Sequence, residues 1–155
     1  MSKISSSIVE LCVFKKETGE VKYLLLHRTV DEKVYPNLWQ FITGSIEENE
    51  NAKDAAIREL AEETGLKPRS LWVVPYVLSF YNAEWDSVNL CPFFAAEADS
   101  RSLVRLSDEH DEFGWFTYDE SIQKLVWPSW REGLKIVNEY IIANKDIHTD
   151  IHRIF

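Results

Sequence analysis

A chain of 155 residues that is 45% apolar, 13% aromatic and 28% charged has the composition of a packed globular protein rather than a disordered segment. The length suits one domain, 1–155, able to bury roughly two thirds of its unfolded surface in a single core. With 17 basic against 26 acidic residues the formal net charge is −9 and there is no basic stripe, which argues against binding a nucleic acid polymer along its backbone and leaves any anionic substrate to bring its own counter-charge.

The start, MSKISSS, lacks a basic region followed by an apolar stretch, and no run approaches the roughly 18 apolar residues of a membrane span. The expected location is cytoplasmic. Ser7 to Phe14 (SIVELCVF) reads as a mostly buried strand, and the turn Glu17 to Glu20 returns the chain as a second strand, Val21 to His27, with Arg28 at its end. A polar stretch with a Pro36-Asn37 turn leads to a short strand, Leu38 to Ile42. A helix is predicted from about Asn51 to Thr64, stopped by Gly65 with Pro68 beyond. Two long β segments follow, Leu71 to Tyr81 and Ser87 to Glu97; Pro75 and Pro92 cannot donate ladder hydrogen bonds and call for bulges or an edge. After a polar loop, Glu112 to Phe116 is a further strand, Thr117 and Glu120 form a capping box, and Pro128 opens a longer helix whose apolar stripe is Trp130, Leu134, Val137 and Ile141. The tail from Asn144 spaces Ile147, Ile151, Ile154 and Phe155 at roughly helical intervals, open to packing on its own domain or on a partner, a homodimer included. Cys12 and Cys91 each lie in an apolar run without metal-ligand spacing and are expected as buried thiols. Period and spacing together give a mixed αβ domain.

Gly44 to Leu66 (GSIEENENAKDAAIRELAEETGL) fits the pattern GX5EX7REUXEEXGU, with U apolar, at every specified position. On a helix, Glu59, Glu62 and Glu63 fall within one arc, because offsets of three and four residues share a face. Ala52, Ala55, Ala56 and Leu60 occupy the same half of the wheel as Glu59 and Glu63, so these acids sit in or beside the packing face. Carboxylates drawn against a core cost several kcal/mol each if unpaired. Arg58 is one local cation, too little for three acids, and hard oxygen ligands around a polyphosphate point to Mg²⁺, with Mn²⁺ also suited.

This stretch is the Nudix box, and the chain resembles a Nudix hydrolase. The resemblance implies an α/β/α sandwich around a mixed sheet. It implies Glu59, Glu62 and Glu63 as metal ligands, Gly44 contributing its backbone carbonyl or a tight turn, and Arg58 orienting the acids, with Glu50 bracing the helix through Arg58. It further implies Mg²⁺-dependent hydrolysis of a nucleotide-like small molecule. The proton of the attacking water would go to Glu62, Glu63 or a loop acid. Glu109 heads the string EHDEFGW, which is similar to the EHxxxxW segment of bacterial dATP (dihydroneopterin triphosphate) pyrophosphohydrolases, where that acid lies near the metal. Glu109 is thereby a candidate extra ligand or base, and His110, ranked below it, is a candidate phosphate contact. The opening WQFITGSIEENE, Trp39 to Glu50, is similar to the same subgroup, so the expected products are a monophosphate and pyrophosphate. Substrate contacts are sought at Arg28 for phosphate and at Phe80 and Tyr81 for stacking on a base, with Trp39 and Trp130 as further aromatics more suited to packing. Two rival readings stand beside this one. Tyr81, 15 residues past Leu66, lies near the place of a tyrosine in dinucleoside polyphosphate (Ap4A) hydrolases. Some Nudix domains only sense nucleotides, commonly with damaged boxes, and this box is intact.

Overall fold

The computed structural model describes residues 1–143 and 151–155. Among these residues, eight strands and three α-helices follow the order β1 (Lys3–Ser5), β2 (Ile8–Glu17), β3 (Glu20–Arg28), β4 (Trp39–Gln40), β5 (Ile42–Ser45), α1 (Ala52–Thr64), β6 (Ser70–Asn82), β7 (Ser87–Glu97), β8 (His110–Phe116), α2 (Tyr118–Lys124) and α3 (Pro128–Ile136), with a π-helical turn over Val137–Ile142. The strands form one sheet in the order β1-β7-β2-β3-β4, with β5 paired to β2, β6 to β7 and β8 to β3. The pairs β1/β7 and β2/β7 are parallel and the rest antiparallel, so the sheet is mixed.

Alternation along β2 sorts the interior into two layers. Val9, Leu11 and Val13 pack on Ala55, Ala56 and Leu60 of α1. Cys12 and Phe14 point the other way, into a cluster with Trp130 and Leu134 of α3 and with Val137 and Ile141. Helices therefore cover both faces, and the architecture is the α/β/α sandwich. The four-residue apolar stripe is buried as expected, but it spans α3 and the wider π turn rather than one α-helix. In that turn the amide of Ala143 donates to the carbonyl of Asn138, whose side chain accepts the Tyr23 hydroxyl at 2.6 Å.

Local signals set the ends of the elements. Asn51 caps α1 by accepting from the amide of Asp54, and Gly65 closes it in the left-handed region at φ 70°, which a side chain would resist. The Thr117/Glu120 capping box opens α2, and Pro128 stands in the first turn of α3. Pro75 falls where the β6/β7 register shifts between Val73 and Val77. Pro92 lies between the part of β7 that pairs with β1 and the part that pairs with β2, so its missing N–H breaks no ladder on that side. Cys12 and Cys91 are free and buried.

Three features depart from the sequence reading. Strand β1 adds Lys3–Ser5 alongside Ser87–Asn89, a parallel pairing that no local pattern marks. The expected strand Leu38 to Ile42 is split at Phe41, because the chain changes partner there: Trp39–Gln40 pairs with β3 and Ile42–Ser45 with β2. Gly44 is a strand residue paired with Val9 rather than part of a tight turn. Of the tail, Ile147 lies outside the described residues. Ile154 and Phe155 pack on their own chain, exchanging backbone hydrogen bonds with Leu71 at 2.7 and 2.9 Å, and Arg153 bridges Trp72 in antiparallel fashion. Among the described residues no helix is long and apolar enough to cross a membrane.

Candidate active site

Helix α1 divides its three acids. Glu63 is 3% exposed, Glu59 is mostly covered, and the Glu62 side chain is 58% exposed. Helical spacing alone places them on one arc; their different depths come from how α1 packs against β5 and β2. Arg58 binds the outer two with one nitrogen, Nη1 donating to Glu59 at 2.8 Å and to Glu62 at 3.1 Å. Its other donors grip Glu50 in bidentate fashion, both at 2.9 Å, and the carbonyl of Ser45 at 2.7 Å. The guanidinium thus ties α1 to the end of β5 and to the loop before the helix, with Glu50 as the brace.

Gly44 lies against Glu59 so closely that a Cβ there would overlap the Cγ, Cδ and Oε1 atoms of that side chain. This is why the first position of the box is glycine: the backbone of β5 and the carboxylate share a space with no room for a methyl group. Burial pushes the Glu59 carboxyl above its ordinary range, with Arg58 acting against the shift.

Glu63 turns inward and meets residues from far along the chain. Ligand atoms of Glu63, Glu109 and His110 all lie within 4.8 Å of one another. Burial first, then the charges of Glu59 and Glu109, push the Glu63 carboxyl up to about 9, and its Oε2 has no hydrogen-bond partner. A buried orphan oxygen facing a second carboxylate, beside a glycine that lets a third approach, suits a divalent cation with oxygen ligands. The donor set therefore fits the metal that the box implies.

The loop before β8 carries Glu109 into place. His110 is opposite Arg28 in the β3/β8 ladder, at a bulge, and the carbonyl of Glu109 accepts from the amide of Thr29 at 3.2 Å. His110 is buried, and its Nε2 stands 3.0 Å from the amide nitrogen of Gln40. That amide nitrogen can only donate, so Nε2 accepts and the neutral ring keeps its proton on Nδ1, which has no protein partner. Burial, with help from Arg28, holds His110 down at about 4, so it is uncharged at neutral pH. In this tautomer His110 offers a hydrogen bond rather than a ligand lone pair. Arg28 is held by Glu32 at 3.0 Å and keeps a buried, unpartnered Nε.

Arg28 also borders a cavity of about 190 Å³. Its walls include Phe80, Tyr81 and Trp85 at the β6/β7 end, Tyr35 from the loop after β3, and Trp127 and Trp130 from the start of α3; Glu10, Gln40 and Thr43 form polar parts of the lining. Arg28 and Gln40 thus connect an aromatic chamber to the acid cluster. Among the sequence candidates, Arg28, Phe80, Tyr81 and Trp130 meet here. Trp39 does not: it packs edge-on to Phe116 at 5.2 Å, beside His27, with the Lys124 ammonium 4.6 Å from its ring. Sequence reading missed Glu10, Gln40, Trp127 and Tyr35. A signal for Glu10 was present, because an acid in phase with Cys12 and Phe14 on a buried strand is unusual.

A NUDIX domain model matches residues 6–135. The chain belongs to the Nudix family. It is 31% identical over 134 residues to an octanoyltransferase of Myxococcus xanthus, covering 82% of this chain but only 35% of that protein, so the chain spans about a third of that relative's length. It is 25% identical over 115 residues to an asymmetrical bis(5'-nucleosyl)-tetraphosphatase of Caenorhabditis elegans, covering 73% of this chain and 80% of that one. It is 26% identical over 130 residues to an RNA pyrophosphohydrolase of Shewanella oneidensis, covering 72% and 74%. Among solved structures, a C. elegans Ap4A hydrolase in a binary complex superposes with a TM-score of 0.77 at 20% identity, covering 90% of this chain and all (100%) of that one. The E. coli dihydroneopterin triphosphate pyrophosphohydrolase superposes with a TM-score of 0.70 at 20% identity, covering 93% and 100%. At these identities the two superpositions establish the shared fold.

Proposed function

We infer that this Nudix enzyme hydrolyses a nucleoside triphosphate, or dihydroneopterin triphosphate, to the monophosphate and pyrophosphate in a Mg²⁺-dependent reaction within the cytoplasm. The observation that carries the reading is that two residues lining the aromatic cavity, Arg28 and Gln40, adjoin the buried acid cluster, Gln40 through His110 and Arg28 as a cation near Glu63. A planar ring would stack among Phe80, Tyr81 and Trp127, and a phosphate chain leading from it would run past Arg28 toward the acids.

Glu59, Glu62, Glu63 and the carbonyl of Gly44 would hold the cation, with Glu109 as a further ligand or as the base. A divalent ion bound there supplies positive charge against the phosphate oxygens as the anhydride bond breaks. The protein's own groups do the rest. Arg28 and the Nδ1–H of neutral His110 donate to phosphate oxygens, and Arg58 fixes Glu59 and Glu62 against drift. Water adds to phosphorus in line with the departing oxygen and gives up one proton. Glu109, exposed at the rim, is well placed to receive it and to pass it to solvent. A second reading has one specific support: Tyr81 and Trp85 are half exposed at the cavity mouth, as a platform for the second ring of Ap4A would need.

Separate assays of pyrophosphate and inorganic phosphate across dNTPs, dihydroneopterin triphosphate, Ap4A and ADP-ribose test the reading. Pyrophosphate as the main product from a triphosphate is expected, and preferential turnover of Ap4A would replace it by the second reading. Glu62→Gln, on an exposed side chain, should lose orders of magnitude in turnover while its circular dichroism stays native. Wild-type rates would remove Glu62 from the site.

A further inference from the structure

Only two carboxylates are buried among the described residues, Glu63 and Glu10. The acid cluster accounts for Glu63. Glu10 stands on the opposite face of the sheet, 4% exposed, in a position that strand alternation assigns to the α3 core alongside Cys12 and Phe14. No lysine, arginine or histidine lies within ion-pair distance of it among the described residues. Its protein partners are two donors: the Thr43 hydroxyl gives to Oε2 at 2.8 Å, and the Trp130 indole N–H gives to Oε1 at 3.3 Å. A carboxylate has about four acceptor positions, so each oxygen keeps one free. Both neighbours are part of the cavity lining with Glu10 itself.

Trp130 can only donate, and Thr43 is oriented to donate, so both oxygens of Glu10, a residue of the cavity lining, act as acceptors. Two acceptors side by side complement two adjacent donors in the plane of a ring. We propose that Glu10 selects the substrate's heterocycle by accepting from a ring N–H and the neighbouring exocyclic amino group, the 2-amino-4-oxo edge shared by guanine and pterins. Adenine and cytosine put a ring acceptor next to their amino group, and thymine puts its single N–H between two carbonyls, so each sets an acceptor against a carboxylate oxygen. Desolvation pushes the Glu10 carboxyl up to about 7, with Thr43 and Trp130 acting against it, and two more donors from a bound ring favour the charged form further. The plainer role, a cross-link holding α3 to β2 and β5, requires no selectivity.

This inference rests on the cavity holding the substrate's ring, as argued above, and deepens that reading by naming the ring. The test compares kcat/KM of wild type and Glu10→Gln on dGTP, dihydroneopterin triphosphate, dATP, dCTP and dTTP, with melting temperature as the check on folding. Wild type should favour dGTP or dihydroneopterin triphosphate over the other three, and the ratio of those two substrates tells a purine site from a pterin site. Glu10→Gln presents one donor and one acceptor, so it should lose on the order of 10- to 100-fold on the favoured substrate while dATP is unchanged or improved. A preference for dATP in wild type, or an equal loss on every substrate, would overturn the proposal. GMP, neopterin monophosphate and AMP binding, followed by tryptophan quenching, reads the selectivity without turnover. If no triphosphate is hydrolysed, the reaction assigned above fails, while tighter GMP or neopterin binding lost in Glu10→Gln still upholds the selectivity and equal binding of all three refutes it.

Discussion

Gly44→Ala isolates the packing of one side chain against one backbone atom. The backbone of Gly44 does not have positive φ, so alanine meets no conformational objection in β5. Its methyl group would nevertheless lie well under 3.0 Å from three atoms of Glu59, whereas ordinary contacts begin near 3.4 Å. The carboxylate must therefore retreat by more than about 1 Å, and it can, because the flexible end of a glutamate is what gives way. Retreat breaks the 2.8 Å bond from Arg58 and takes Glu59 away from the place where it is proposed to hold a cation. Overpacking of this kind costs about 1–3 kcal/mol, which for a chain of this size lowers Tm by roughly 2–12 °C. Misplacement of a reacting or positioning group by ~1 Å costs on the order of 100-fold in rate, so kcat should fall by at least about that factor. The assay is steady-state pyrophosphate release with Tm measured in parallel, repeated in a Glu59→Ala background. Glu59→Ala clears the space, so there Gly44→Ala should cost no further activity. Near wild-type kcat for the single variant, or multiplied losses in the double variant, would refute the idea that Gly44 serves to admit Glu59.

Two further outcomes follow from the same geometry. Glu63 is raised from 4.5 to about 9 in the fold, so with a raised carboxyl pKa the metal-free protein loses stability as pH climbs from 4.5 to 9. At pH 7 that loss is about 3 kcal/mol, from 1.36 kcal/mol per unit over the interval above 4.5. Glu63→Gln should therefore melt higher than wild type in EDTA at pH 7 and respond less to added Mg²⁺, while turnover collapses; a lower Tm in EDTA would contradict the buried-charge account. Trp39→Phe should lower Tm through lost packing on Phe116 and Lys124 yet leave KM unchanged, and a selective rise in KM would place Trp39 at the substrate.

What the amino-acid order determined by itself is local. Periodicity of 3.6 residues set Glu59, Glu62 and Glu63 on one arc with Arg58 beside them, Asn51 and Gly65 marked the ends of α1, and Pro75 marked a bulge. These relations hold within a few residues, and the backbone geometry of a helix or strand fixes them whatever the rest of the chain does. The box motif then carried the fold class. Tertiary structure decided the remainder. It sank Glu63 while leaving Glu62 in solvent, and it brought Glu109 and His110 to Glu63 through the β3/β8 ladder. It also added β1 to β7, hung the chain's last residues on β6, and placed Glu10 beneath a chamber built from α3 and the β6/β7 end. Those contacts join residues up to 120 positions apart, as Glu10 and Trp130 are. Sheet register and the tilt of helices against it set such pairs, and both are properties of the packed whole, where every buried surface must be matched at once.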